Sequence, residues 1–214
     1  YRELLYFLAW RDLKVRYKQT VLGVAWVVLQ PLFTMVIFTV IFGRFAGVRT
    51  GAIPYPVFVF AGLIPWTFFA TSIGFAGTSL IGQQHLLTKI YFPRLFVPTA
   101  VVCTYLVDLA ITVVLYACIL AVYRIVPSWQ VVFLPLLIGL TLALTLGLGY
   151  TLAAVTVLYR DIRYIIPFAI QVLMYLSPVI YPVDLLPGRF RWILSLNPMC
   201  GIIEGYRWSI LGTP

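Results

Sequence analysis

The sequence predicts an all-α integral membrane protein, a polytopic helical bundle with five spans, and three observations predict it. Hydrophobic residues make up 63% of the chain and charged residues 10%, with a mean hydropathy of +1.03, against roughly 45–50% apolar and 25% charged in soluble domains. A soluble chain of 214 residues keeps a large wet surface, so this much apolar side chain needs lipid as its solvent. The second observation is that nearly all the charge falls between apolar windows of about 20 residues, the length that crosses roughly 30 Å of hydrocarbon. The third is the lack of alternating barrel patterning, which leaves helices as the spanning structure that satisfies its own backbone in lipid.

Ahead of the first window, Tyr6, Trp10, Leu13 and Tyr17 recur at helical spacing while Arg11, Lys14 and Lys18 share another face. That predicts an interfacial helix over residues 1–20, with Arg16 adding to its basic collar. Leu4 and Val15 fall on the basic side, so the amphipathic division is imperfect. The spans follow over Val21 to Phe42, Val57 to Gly82, Val97 to Val122, Val131 to Leu158 and Tyr164 to Tyr181, and together they occupy residues 21–182. Gln30-Pro31 interrupts the first, and Pro65, Pro98, Pro135, Pro167 and Pro178 fall inside or at the ends of others. Each removes a backbone donor, and such breaks persist in membranes where protein or water satisfies the freed carbonyl.

Every-fourth small residues, Ala70, Gly74, Thr78 and Gly82 in the second span and Gly139, Ala143, Gly147 and Thr151 in the fourth, predict close helix packing within the chain or a dimer seam. Tyr55, Trp66, Tyr123, Trp129, Tyr181 and Trp192 fall near span ends, where amphipathic rings favour the membrane interface. Cys103, Cys118 and Cys200 form no C-x-x-C or disulfide framework. The first residues lack a signal-peptide pattern.

Basic residues set the orientation. With the N-terminus inside, Arg2, Arg11, Lys14, Arg16, Lys18, Lys89, Arg94, Arg160 and Arg163 are cytoplasmic, and Arg44, Arg49 and Arg124 are in short outer loops. Arg189, Arg191 and Arg207 in the tail narrow that margin without reversing it. Five spans leave the C-terminus outside. The chain stops at "SILGTP", where another apolar run could begin, and reads as an excerpt of a longer one.

The inventory argues against an enzyme. One histidine, His85, gives no material for a histidine metal cluster or a Ser-His-Asp arrangement. Asp108 is the one carboxylate deep in a span and lacks a second acid for paired chemistry. No G-x-x-x-x-G-K-[ST] sequence occurs, so the chain has no P-loop for nucleotide phosphates. Nucleic-acid binding is disfavoured because the net charge of +9 is spread in short clusters beside apolar runs. Asp108, flanked one turn away by Thr104 and Thr112, is either a satisfied structural residue or part of a substrate path.

Four ordered segments, "RDLKVRYKQTVLGVAWVVLQPL", "LLTKIYFPRLFVP", "LYRDIRYIIPFAIQ" and "SPVIYPVDLLPGRFRWILSLNPMCGIIEGYRWSILG", resemble the permease subunit of type-2 ATP-binding cassette exporters of polysaccharides and polyol phosphates. That family exports O-antigen, capsule and teichoic acid, and the resemblance runs from Arg11 to Gly212. It implies one transmembrane domain in the bacterial cytoplasmic membrane, working as two permease copies with two ATPase subunits. ATP and Mg are bound by the ATPase, leaving this chain without a cofactor or catalytic residue.

By the same resemblance, the interfacial helix with Arg11, Lys14, Arg16 and Lys18 meets anionic lipid and the ATPase. The loop from Gln84 to Phe96, with His85, Lys89, Pro93 and Arg94, matches the coupling helix. The first and fifth spans line the path of a lipid-linked glycan or polyol phosphate, with Trp26, Gln30, Tyr175 and Tyr181 as candidate path residues beside Asp108 of the third span. Residues 183–214 match an extracytoplasmic gate segment whose paired short re-entrant helices run from Asp184 to Arg207; the family's sixth span is absent. The alternatives are a type-2 exporter of drugs or small lipids, a membrane-embedded transferase and a passive scaffold.

Overall fold

The computed structural model describes residues 2–18, 23–51, 53–84, 92–185, 194 and 196–212, and the regular structure among the described residues is helical, with no strand. Helix α1 (Arg2–Lys18) is followed by α2 (Gly23–Phe38), which runs on as a π-helix over Thr39–Phe45. Then come α3 (Tyr55–Gly82), α4 (Phe96–Val122), a 3-10 turn at Trp129–Phe133 leading into α5 (Leu134–Leu158), α6 (Ile162–Leu176), a 3-10 turn at Val183–Leu185 and α7 (Pro198–Leu211).

Four helical stretches among the described residues are long and apolar enough to cross a membrane: Ala25–Phe45, Tyr55–Gly82, Phe96–Val122 and Trp129–Leu158. The expected fifth span is shorter than the sequence suggests. Helix α6 has 15 residues, about 22 Å at 1.5 Å per residue, and it ends because Pro178 clashes with a helical residue before it. Ser177 accordingly turns extended, with ψ 145°.

Helix α3 is the axis of the bundle. In its most apolar stretch 78% of residues are buried, against 6% for α2, and α2, α4, α5, α6 and α7 all pack on it. Pro54 precedes its first residue and Pro56 lies in its first turn, where the missing donor has no intrahelical partner to lose. Phe60, Leu63, Ile64 and Phe69 of α3 are core residues. On α4, the Tyr116 ring stacks on Phe60 at 5.5 Å and its hydroxyl donates to the Val57 carbonyl at 3.0 Å.

Close approach between α3 and α5 uses a different small-residue face from the expected one. A Cβ at Gly77 would lie 2.7 Å from Ile166 Cδ1 and 3.3 Å from Leu152 Cβ, and one at Gly149 would lie 3.3 Å from Ala76 Cβ. Around Gly149, Thr141, Thr145, Ala153 and Thr156 form the buried stripe of α5. By contrast, Cβ atoms at Gly82, Gly139 and Gly147 would meet open space, and Ala143 and Thr151 are exposed. The periodicity is the expected one, but its rotational phase is set by what packs against it.

The aromatic belt also needs correction. Tyr55 and Trp66 are core residues, and the Tyr55 hydroxyl donates to the Ile180 carbonyl at 2.7 Å. Tyr123 and Trp129 are exposed, as an interfacial position requires. Trp192 lies outside the described residues. Helix α1 buries Leu8 against Phe92, Val97 and Ala100, with Leu4, Leu5 and Ala9 beside it. The anticipated aromatic face is split: Tyr6 and Trp10 stack on each other at 6.3 Å and are both exposed, while Leu13 and Tyr17 are half-buried. Leu4 therefore belongs to the face that packs on the bundle.

Candidate functional site: a polar node where four helices meet

Residues far apart in the chain converge on Asp108. From the last turn of α1, the Tyr17 hydroxyl donates to one Asp108 carboxylate oxygen at 2.5 Å, and the Arg16 guanidinium meets the other at 2.6 Å. The Arg16 guanidinium also lies over the Tyr105 ring, 4.2 Å from its centroid. On α4 itself, Thr112 Oγ1 donates to the Asp108 backbone carbonyl at 2.8 Å. Burial and then the Asp108 contact push the Tyr17 phenol above its ordinary pKa, so it stays protonated and works as a donor. A carboxylate in a span is costly unless paired and hydrogen-bonded, and α1 supplies both partners.

Asp108 and Arg16 line a cavity of about 200 Å3 shared with Trp26, Gln30, Pro31 and Thr67. Pro31 has no N–H to give the Val27 carbonyl, and both residues line this cavity. The break in α2 thus faces an open cleft, where an unsatisfied carbonyl at membrane depth can be reached by water. A second cavity of about 740 Å3 lies toward the end of α3, lined by Asp12, Phe75, Thr78, Gln83, Thr104 and Tyr105 among others. Arg16, Trp26, Gln30 and Thr71 line both cavities. The walls combine hydroxyls, amides and aromatic faces around an internally neutralised ion pair.

The structure brings together Trp26, Gln30 and Asp108 and adds Arg16, which the sequence assigns to the collar alone. Tyr175 and Tyr181 line neither cavity; they form a separate pair in which the Tyr181 hydroxyl donates to the Tyr175 carbonyl at 3.1 Å. In the collar, Arg11 pairs with Asp12 at 2.7 Å and Lys14 Nζ lies 5.4 Å from the Trp10 ring centroid, while Lys18 is exposed. His85 and Lys89 lie outside the described residues. Pro93 and Arg94 are exposed in the turn that starts α4, where their carbonyls accept from Phe96 N at 3.0 Å and Val97 N at 3.3 Å.

A second node was not anticipated. Arg207 of α7 is completely buried, donating to the Val179 carbonyl at 2.8 Å and to Glu204 at 2.8 Å, with a longer 3.4 Å contact to the Phe58 carbonyl. Its guanidinium carbon lies 3.7 Å from the Phe58 ring centroid. Asn197 caps α7 by accepting from Met199 N at 3.0 Å and donates to Ser177 Oγ at 2.9 Å. With the Tyr55 bond to Ile180, these contacts fasten the segment after α6 onto α3 and α7. The sequence signal for this node is the Glu204–Arg207 spacing of one helical turn. Among the described residues no group of three or more His, Cys, Asp and Glu side chains could hold a metal.

The description of the ABC-2 type transporter family matches residues 3–211. The O-antigen export system permease protein RfbA of Myxococcus xanthus is 34% identical over 209 residues, covering 97% of this chain and 80% of the relative. An RfbA of Klebsiella pneumoniae is 31% identical over 207 residues, 96% of this chain and 79% of the relative. The polysialic acid transport protein KpsM of Escherichia coli is 24% identical over 204 residues, 94% and 78% of the two chains.

Proposed function

Because the chain belongs to the ABC-2 type transporter family, we propose that it is the permease subunit of an exporter that moves polysaccharide across the cytoplasmic membrane. Likeness over 94–97% of this chain to O-antigen export permeases and a polysialic acid transport protein carries this reading. The hydroxyl- and ring-lined cleft beside α3 suits it, because burying a sugar hydroxyl without a partner in hydrocarbon costs roughly 4–8 kcal/mol. The chain forms the pathway, and the work comes from a separate ABC ATPase that binds ATP and Mg.

The proposal extends to the finer assembly. Two copies of the permease stand with two ATPase subunits, the cargo is a lipid-linked glycan or polyol phosphate, and the loop from Gln84 to Phe96 receives the ATPase's motion. Tighter binding of nucleotide by one conformation shifts the permease toward that conformation. Residues 1–20 lie in the cytoplasmic interface, α6 with the segment to Tyr181 completes a fifth crossing, and residues 183–214 form the outer gate segment. Trp26, Gln30 and Asp108 border the path, with Tyr175 and Tyr181 farther along it.

Deleting the gene in its own host is expected to strip polysaccharide from the cell surface and leave polymer on the cytoplasmic side, with recovery when the chain is expressed again together with an ABC ATPase of the same host. Unchanged surface polysaccharide would overturn the reading. In that assay Trp26→Ala and Gln30→Ala should lower export several-fold while the amount of purified complex holds; parallel loss of both, or of neither, removes these residues from the path. Orientation is tested with single cysteines in a cysteine-free background. An outside-only thiol reagent should label Arg49→Cys and not Gln84→Cys, and the reverse pattern would invert the topology.

A further inference from the structure

Helix α1 is attached to α4 at two separate points. Near its start, Leu8 is buried against Phe92, Val97 and Ala100, and Phe92 belongs to the loop from Gln84 to Phe96 that leads into α4. At its last turn, Tyr17 donates to Asp108 at 2.5 Å, while Arg16 pairs with the same carboxylate at 2.6 Å and lies over Tyr105. The attachments are about 14 Å apart on α1 and about 16 Å apart on α4 at 1.5 Å per residue, so the two helices run side by side in the same direction. The Ala9 carbonyl, 3.4 Å from Thr104 Oγ1, keeps the same order. Helix α1 packs more on α4 than on α2, the helix it precedes in the chain.

The two attachments differ in kind. Apolar contact is non-directional, so the Leu8 cluster alone is a pivot about which α1 could swing. Hydrogen bonds and ion pairs fix distance and angle, and those at Asp108 stop that swing. We propose that Asp108 is a positioning residue for coupling: by holding the last turn of α1, it makes α1, the loop from Gln84 to Phe96 and the first half of α4 one rigid lever. The lever rests on the exporter reading for its driving force, since that reading has the ATPase push on this loop. It carries the push to α2, which follows α1 in the chain. Arg16 and Tyr17 serve the same end through Asp108, and Phe92 ties the loop itself to α1.

The test uses the permease with its ATPase in lipid nanodiscs, with Cys103, Cys118 and Cys200 replaced by alanine and unlabelled permease in excess. Nitroxides at Lys18→Cys, the exposed last residue of α1, and Val122→Cys, the exposed last residue of α4, report the distance between the two helices by pulsed electron spin resonance. The parent should give one narrow distance that stays the same when ATP is trapped with vanadate. Asp108→Asn and Arg16→Met should broaden the distance and make it shift on trapping, and polymer exported per ATP hydrolysed should fall about tenfold. Tyr17→Phe removes one hydrogen bond and keeps the ion pair, so it should broaden the distance less and lower that ratio about threefold. Should neither of the other variants assemble, Tyr17→Phe decides alone. A distance in the variants as narrow and fixed as in the parent overturns the lever even where export is lost, since a side chain that only bordered the path would act so. A parent distance that itself shifts on trapping overturns it equally. The distance is read without cargo, so a parent complex that exports no polymer would overturn the exporter reading and leave the lever standing.

Discussion

Replacing Arg207 with leucine is expected to destabilise the purified permease by about 3 kcal/mol, because a buried cation with three acceptors is removed and the acceptors stay behind. Arg207 is 0% exposed and binds the Val179 carbonyl and Glu204 at 2.8 Å. Leucine fills part of the volume but leaves the Val179 carbonyl buried without its donor. Arg207→Lys should recover little, since one ammonium cannot reproduce a planar fork reaching several acceptors. Glu204→Gln should cost less than about 1 kcal/mol, because the Glu204 side chain is 37% exposed and can be hydrated. Gly62 adds an independent check on the same node: a Cβ there would lie 2.9 Å from an Arg207 guanidinium nitrogen. Thermal unfolding in detergent, followed by tryptophan fluorescence, gives the order. Equal stability of Arg207→Leu and the parent protein would show that the node does not hold α7 to α3.

The other large effect is on transport. Reversing both charges with Lys89→Glu and Arg94→Glu is expected to lower export and ATPase co-purification roughly tenfold or more, because like charges brought together at an interface cost several kcal/mol. Arg94 is exposed, and its structural contribution is a backbone carbonyl that accepts from Val97 N at 3.3 Å. That bond survives a change of side chain, so α4 should still start correctly and the permease should reach the membrane at normal levels. The separation between folding and coupling makes the result interpretable. Normal assembly and export in the double variant would remove the loop from the coupling role, and loss of the permease itself would assign these charges to folding.

Hydropathy and charge alone determined the class of fold and most of its elements. The length of an apolar run and the exclusion of charge from it are local properties, and the cost of an unpaired backbone in lipid converts such runs into helices. Four of the five expected spans therefore appear near their expected bounds. The fifth shortens at Ser177 because of Pro178, a residue whose effect on its predecessor is equally local. The inventory of chemistry was also legible, since it depends on which residues exist and not on where they meet.

Tertiary structure alone decided which side of each helix faces which neighbour. A spanning helix is apolar all round, and lipid is as apolar as a protein core, so hydropathy carries no rotational signal of the kind an amphipathic surface helix gives. That is why the close approach falls at Gly77 and Gly149 and leaves Gly139 and Gly147 in the open, and why α1 docks through Leu8 with Tyr6 and Trp10 left exposed. It is also why Arg16 and Tyr17 could not be matched to Asp108, some 91 residues away, although the sequence already required that a carboxylate at that depth find partners.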